Sequence, residues 1–322
     1  MADVTRRDML RRLTQREYAP WAGTLLCWLI ITLTVGTADA ARLLAAGVFV
    51  RSLRYLVAPN SNPSLARRTT APRAILRAAI ATALKLEAAA LLIGALLLVL
   101  LVSSFEAMGL AKTAQLCLLV AAGLPARFLY PLVAGRRHFV VARSALTWGG
   151  AALAALAWLL DAGLAGMALA LGLREWIALG ASLWLARRNP DKPPYEQRLH
   201  WHEIGGHSYR TARRRFAYRL GKGILTAVLG PVGGFAARTG RGVGLVGRIE
   251  RFAPTSLPLL ILLCVGGATA SLILLAWLPE PSLHIVAATL FRLAVASGSI
   301  LLWWRFRDVP VGREDSEDDE DD

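Results

Sequence analysis

Two charged residues of opposite sign stand side by side in the middle of a long apolar stretch of this sequence. Arg174 and Glu175 interrupt the run from Gly163 to Arg188, GLAGMALALGLREWIALGASLWLARR. A helix of about 24 residues can cross the hydrocarbon core of a bilayer. A charge near its centre costs at least about 2.5 kcal/mol on insertion scales, so both side chains are expected to face protein or water.

Other charges also fall inside apolar runs, among them Glu87 and Arg292. One explanation is helix assembly through opposite charges, for instance Glu175 with Arg292. A pair of Glu87 with Arg174 would serve the same purpose. The other explanation is a path for a substrate or ion. For that path we predict the following candidate residues: Arg174, Glu175, Arg292, Glu87, Arg127 and Arg51.

Arg51 illustrates the ambiguity of such residues. Together with Arg42 and Arg54 it lies near the ends of the apolar run from 41 to 57. Long arginine side chains at these positions can extend to the lipid headgroups. The alternative is a cationic wall that faces a substrate.

Two motifs have the residue types of a site but not its spacing. The zinc-protease pattern H-E-x-x-H needs two histidines one helical turn apart, whereas His202 and His207 are separated by Gly205 and Gly206 and lie five positions apart. With His200 and Glu203 they predict a polar interfacial loop. The G-x-G-x-x-G match at 242–247 has no strand before it and no βαβ context. We therefore predict no catalytic residue, no metal, no cofactor and no enzymatic activity.

The composition is that of a membrane protein. Hydrophobic residues make up 55% of the 322-residue chain and charged residues 18%, against about 25% charged in soluble proteins. The formal charge of +15 comes from clusters that flank apolar runs, which favours anionic lipid headgroups over nucleic acid as the partner. Cys27, Cys117 and Cys264 lie inside apolar runs and predict packing, with neither a disulfide nor a metal site.

The pattern predicts an all-α, polytopic membrane helix bundle with about eight transmembrane helices. The spans lie at about 21–36, 41–57, 79–103, 109–134, 139–160, 163–188, 256–278 and 282–304. With both termini cytoplasmic, the external turns at 37–40, 104–109, 161–162 and 279–281 carry no Lys or Arg, in agreement with the positive-inside rule. In the fourth span, Pro125 and Pro131 are expected to kink or break the helix.

A long basic segment separates the last two spans from the others. In it Tyr209, Ala212, Phe216, Leu220 and Ile224 recur at helical spacing. This pattern predicts a basic amphipathic helix in the membrane interface. Its predicted lipid-binding residues are Arg210, Arg213, Arg214, Arg215, Arg219 and Lys222.

Five segments follow from these patterns. They are a basic cytoplasmic leader at 1–20, a six-helix membrane bundle at 21–188, a basic cytoplasmic or interfacial segment at 189–253, a two-helix membrane hairpin at 254–305, and an acidic tail at 306–322 that we predict to be disordered. The residues from Glu314 to Asp322 include eight acids and no base. Ala38-Asp39-Ala40 has the form of a signal-peptide cleavage site, but an uncleaved first span is the prediction.

Residues from about 74 to 188 resemble the carboxy-terminal four-helix portion of polysaccharide and lipid-linked oligosaccharide flippases, in the multidrug/oligosaccharidyl-lipid/polysaccharide exporter superfamily. The resemblance rests on Gly135-Arg136-Arg137, on the turn Leu160-Asp161-Ala162-Gly163-Leu164-Ala165-Gly166, on the helix start Gly166-Met167-Ala168-Leu169-Ala170 and on Glu175. The segment from Glu17 to Leu56 resembles an earlier helix pair of the family in degenerate form. Family members have twelve or more spans in two halves, whereas about six spans match here. A transporter of this kind would need a homodimer or a membrane protein partner.

The resemblance implies a bacterial inner-membrane protein of polysaccharide export, either flippase-like or accessory to it. Arg174, Arg127 and Arg51 would then hold the phosphates of a lipid-linked glycan, and Glu175 would be a counter-charge or proton carrier. The alternative is a non-transporting scaffold or regulator that uses its basic amphipathic segment and acidic tail. A membrane enzyme built on the histidine cluster is a third hypothesis.

Overall fold

The computed structural model describes residues 19–57, 73–188, 206, 208–214, 216–218, 220–221, 256–277 and 280–309. These residues form helices and short connections, with no strand among them, so the predicted all-α fold is confirmed. In chain order the helices are α1 (Ala19–Val57), α2 (Arg73–Ala107), α3 (Ala111–Ala121), α4 (Leu124–Leu159), α5 (Gly163–Arg188), α6 (Leu257–Trp277) and α7 (Pro281–Leu302), followed by a 3-10 turn at Trp304–Phe306. The described residues between 206 and 221 are also helical.

Five stretches of these helices are long and apolar enough to cross a membrane: Ala19–Arg54, Glu87–Ala107, Gly163–Leu185, Leu257–Trp277 and Leu283–Leu302. Their outward surfaces are apolar, as in α2, where Leu92 is 72% exposed and Leu96 is 65% exposed. A soluble protein rarely exposes so continuous an apolar surface. The chain is a helical membrane protein.

Helix α1 folds back on itself at Gly36. The backbone of Gly36 is not helical (φ 80°, ψ 167°), a conformation that glycine adopts without steric cost. Cys27 interacts with Arg174, and Arg51 approaches the neighbouring Glu175 to 3.9 Å. In a straight helix Cys27 and Arg51 would be about 36 Å apart, too far for both contacts. The predicted boundary between the first two spans therefore coincides with a reversal of the chain.

The break in the predicted fourth span lies earlier than its prolines suggest. Helix α3 ends at Ala121, and α4 begins at Leu124 with Pro125 in its first turn, where proline is tolerated because that N–H has no helical partner. Helix α4 then continues through Pro131 and through 135–137. The loop that we predict after the fourth span is thus helical.

Helix α4 nevertheless cannot be straight. Near its start Arg127 bonds to Glu175, while Gly150, later in the same helix, packs against the side chain of Arg174. A straight helix would separate Arg127 and Gly150 by about 35 Å. The two contacts therefore require a sharp bend between them, in the stretch that contains Pro131, and proline is a common cause of such bends.

The core is built around the second half of α1, which packs against α2, α4, α5 and α7. Ala45 and Ala46 are fully buried there and let the helices approach closely, as small residues do in membrane bundles. Phe49 fills the centre, since its ring centroid lies 5.1 Å from those of both Phe105 and Phe291. The second and last predicted spans are thus held in one bundle.

Several connections lie at the same end of this bundle. Asp39, just after the turn at Gly36, accepts a hydrogen bond from Lys112 at 2.9 Å. This contact brings the α1 turn next to the connection between α2 and α3. Trp158 and Trp277, near the ends of α4 and α6, are 59% and 80% exposed, as expected of tryptophans at a membrane–water interface.

Candidate functional site

The site begins at a crossing of two glycines. At Gly123, between α3 and α4, an added Cβ would lie 2.1 Å from the carbonyl oxygen of Gly172 in α5. At Gly172 an added Cβ would lie 2.9 Å from the carbonyl oxygen of Leu119. The backbones therefore touch, which no larger residue would permit. The indole of Trp176 secures the crossing by donating a hydrogen bond to the Ala122 carbonyl at 3.0 Å.

The crossing places Glu175 beneath the first turn of α4. Its Cγ lies 3.0 Å from the position of an added Cβ at Gly123. Arg127, one turn into α4, donates a hydrogen bond from Nη1 to Oε1 of Glu175 at 2.8 Å. The positive end of the α4 dipole and the guanidinium thus both stabilise the carboxylate.

A second arginine approaches the same oxygen from α1. The Nε of Arg51 lies 3.9 Å from Oε1 of Glu175. The side chains are 27% exposed for Arg51, 14% for Arg127 and only 4% for Glu175. A nearly dry carboxylate is therefore held between two cations from different helices.

Arg54 and Phe128 lie next to this group of charges, and neither is among the six residues predicted from the sequence. The guanidinium carbon of Arg54 lies 5.5 Å from the centroid of the Phe128 ring, a cation–π geometry. Arg54 also acts electrostatically on Glu87 of α2. Arg51 and Arg54 are three positions apart and so share a helix face. That spacing was the available signal that both belong to one site.

We define the central cluster as Arg51, Arg54, Glu87, Arg127, Phe128 and Glu175. Several of its polar atoms are buried without a hydrogen-bond partner in the described part of the chain: Nη2 of Arg51, Oε2 of Glu175 and both oxygens of Glu87. Burying polar groups in this way costs free energy. The cluster consequently has bonding capacity that a polar ligand or a proton could use.

Arg174 extends away from the central cluster. Arg174 is only 5% exposed, but consecutive helix positions point about 100° apart. It extends toward Gly150 and Cys27, whereas Glu175 extends toward Arg127. Arg292 lies on α7, beside the Phe291 whose ring packs on Phe49. Of the six predicted residues, the structure therefore unites Arg51, Glu87, Arg127 and Glu175 around one location.

The described part of the basic segment packs against protein. Tyr209, Ala212 and Phe216 are buried with Leu260 of α6 and Ile300 of α7. The predicted periodicity is confirmed for these three residues, and their apolar face packs against α6 and α7. The position of this segment in the membrane interface stays a prediction. Arg210 and Arg214 are exposed and Arg213 is half-buried. The remaining predicted lipid-binding residues, Arg215, Arg219 and Lys222, lie outside the described residues, as does Ile224.

The described residues contain no group of three or more His, Cys, Asp or Glu side chains that could hold a metal ion. The histidines at 200, 202 and 207 lie outside them, as do the basic leader and the acidic tail from 310 onward. Cys27 and Cys117 are buried and Cys264 is half-buried, and all three are free thiols.

No protein-family model, no curated protein and no solved structure matches the chain.

Proposed function

We propose that the protein transports a lipid-linked anionic glycan across a bacterial inner membrane, or assists a partner that does so. The observation that carries this proposal is the buried contact of Arg127 and Arg51 with Glu175 among membrane-crossing helices. Charges at such depth are costly and typically mark a substrate or ion path. The resemblance to polysaccharide flippases adds the substrate class.

The charge balance of the central cluster favours an anion. The cluster contains three arginines and two carboxylates, Glu87 and Glu175, so its formal charge is positive. A phosphate group offers several acceptor oxygens, and arginine binds it in a bidentate manner. In this proposal Arg51 and Arg127 bind both the substrate phosphate and Glu175. Glu175 then acts as counter-charge or proton carrier as the cluster opens to one side of the membrane.

The proposal includes the topology expected from the sequence, with about eight spans and both termini in the cytoplasm. The fold-back at Gly36 and the bend in α4 support it, because each divides one assigned helix into two parts of different direction. A second copy of the chain or a membrane partner would supply the remaining half of a flippase-like cavity.

A flipping assay tests this function. The protein is reconstituted in proteoliposomes with a lipid-linked sugar phosphate that carries a fluorophore, and movement between leaflets is followed by an impermeant quencher. We expect Arg127→Gln and Arg51→Gln to slow flipping at least about tenfold, since each loses one cation. Lys112→Gln is the matched control, because it removes one cation at the far end of the bundle. Wild-type protein that flips no faster than empty liposomes would refute transport by this chain alone or as a homodimer.

The second candidate function is a membrane scaffold or regulator. It is favoured by the exposed positions of Arg210 and Arg214 on a segment that is anchored to α6 and α7 through Tyr209 and Phe216. In that case Arg210→Gln with Arg214→Gln would abolish the cellular function, and Arg127→Gln would leave it intact. The opposite pattern supports transport.

A further inference from the structure

The carboxy-terminal end of the described chain packs on the start of the basic segment. An added Cβ at Gly206 would lie 3.2 Å from both Cβ and the carbonyl oxygen of Val309. A few residues farther along, the ring of Tyr209 meets that of Trp304 edge-on, with centroids 6.0 Å apart. The chain beyond Val309 therefore starts beside residues 206–209. It is tethered there whatever path it then takes.

The surface around this starting point is rich in arginine. Arg210 and Arg214 are exposed on the basic segment, and Arg213 is half-buried between them. On the other side of the contact, Arg305 and Arg307 are exposed in the turn that follows α7. Arg307 pairs with Asp308 at 2.8 Å, which is the one acidic side chain among the described residues of 303–309. We call Arg210, Arg213, Arg214, Arg305 and Arg307 the arginine surface.

The residues that follow Val309 have the complementary charge. After residues 310–313, the nine positions from 314 to 322 carry eight acids and one serine. A chain of this length can extend about 3.4 Å per residue, so it is long enough to reach from Val309 to Arg210 and beyond. Tethering so close to its target gives the tail an effective concentration on the order of millimolar.

We propose that the acidic tail, residues 314–322, binds the arginine surface of the same chain. Bound there, it neutralises the basic face that the sequence assigns to anionic lipid headgroups, so lipid and tail compete for the same arginines. The attraction is between largely exposed charges, which makes it strongly dependent on salt. This inference is independent of the central cluster.

Spin labels on the full-length protein test the proposal. One label is placed at Thr211→Cys on the basic segment and one at Ser316→Cys, which keeps all eight tail acids. Cys264→Ser removes the partly exposed native thiol, while Cys27 and Cys117 are fully buried and out of reach of the reagent. In bilayers of zwitterionic lipid at about 50 mM salt, we expect a narrow distribution of distances between the two labels.

Neutralising the tail acids to Asn and Gln should broaden that distribution at least about twofold, and about 1 M NaCl should do the same to the parent protein. The matched control neutralises Glu106 and Asp161, two exposed acids in other connections of the chain, and should change nothing. Addition of anionic lipid should also broaden the distribution, because headgroups compete for the arginines. A distribution that is equally broad with the native and the neutralised tail would overturn the proposal. A narrow distribution that anionic lipid leaves unchanged would contradict the proposed competition between lipid and tail for the same arginines.

Discussion

Two acidic residues of this protein each contact two cations, yet their surroundings differ. Asp39 lies at the turn of α1, where Oδ1 accepts from Arg42 and Oδ2 from Lys112, at 2.8 and 2.9 Å. Glu175 lies inside the bundle, where Oε1 contacts both arginines and Oε2 has no hydrogen-bond partner among the residues that the structure describes. The Asp39 side chain is 23% exposed and that of Glu175 only 4%.

Asp39 is more completely bonded than Glu175, yet its contacts contribute little to stability. Water and salt reach Asp39 and Lys112, whose side chain is 54% exposed, so replacing contacts with water by contacts with protein gains little free energy. Water does not reach Glu175, so its unbonded oxygen costs free energy unless another group bonds to it. The contacts of Asp39 are therefore those of a solvent-exposed ion pair, whereas Glu175 has the burial and incomplete bonding on which the proposed function depends.

The largest effect is expected at the crossing that positions Glu175. Gly123→Ala would place a methyl group on the backbone oxygen of Gly172, and backbone atoms cannot move aside as a flexible side chain can. We expect a loss of more than about 3 kcal/mol of stability, measured as thermal unfolding in detergent. Gly180→Ala is the matched control on α5, because nothing lies within 4 Å of its added Cβ. Equal stability of the two variants would contradict the close crossing.

Removal of the inner carboxylate should come next. Glu175→Ala leaves Arg127 without the acceptor of its 2.8 Å bond in a position where its side chain is 14% exposed. We expect a loss of about 3 kcal/mol, the lower end for a broken buried pair, since 27% of the Arg51 side chain still reaches solvent. The double variant with Arg127→Leu should recover part of this loss, because the more deeply buried of the two cations is then removed and Arg51 still reaches solvent. Failure of that rescue would mean that the pair is not electrostatically coupled.

The smallest effect is expected at the outer pair. Asp39→Asn should cost at most about 1 kcal/mol at low salt, and about 1 M NaCl should erase the difference from the parent protein. The loss caused by Glu175→Ala should persist at the same salt concentration, since ions do not enter the bundle. A salt-independent effect at Asp39 would remove the contrast between the two regions.

The sequence allowed correct prediction of the elements that depend on local pattern. Apolar runs of sufficient length predicted the five helical stretches that are long and apolar enough to cross a membrane, while the count of eight spans stays a prediction. Gly36 ended the first predicted span at the residue where α1 turns back. The spacing of Tyr209, Ala212 and Phe216 identified one helix face. Each of these predictions uses residues that are close along the chain, where helical periodicity fixes their relation.

The same patterns could not give the features that a distant segment decides. Pro125 and Pro131 indicated a disrupted helix, but not the earlier break at Gly123, where the backbone contacts Gly172. The helical spacing that includes Phe216 gave an apolar face, but not that α6 and α7 pack against it. An apolar surface is satisfied equally by lipid and by protein, so its periodicity alone cannot tell which of them it contacts.

The sequence by itself determined that this is a helical membrane protein and that Arg174 and Glu175 lie deep within it. Only the tertiary structure decided which charges meet. It separated Arg174 from Glu175, although they are adjacent in the chain, and it brought Arg51 and Arg127 to Glu175 from two other helices. The physical reason is that neighbouring helix positions diverge by about 100°, whereas partners across helices are set by the crossing of Gly123 and Gly172, whose contact no local pattern encodes.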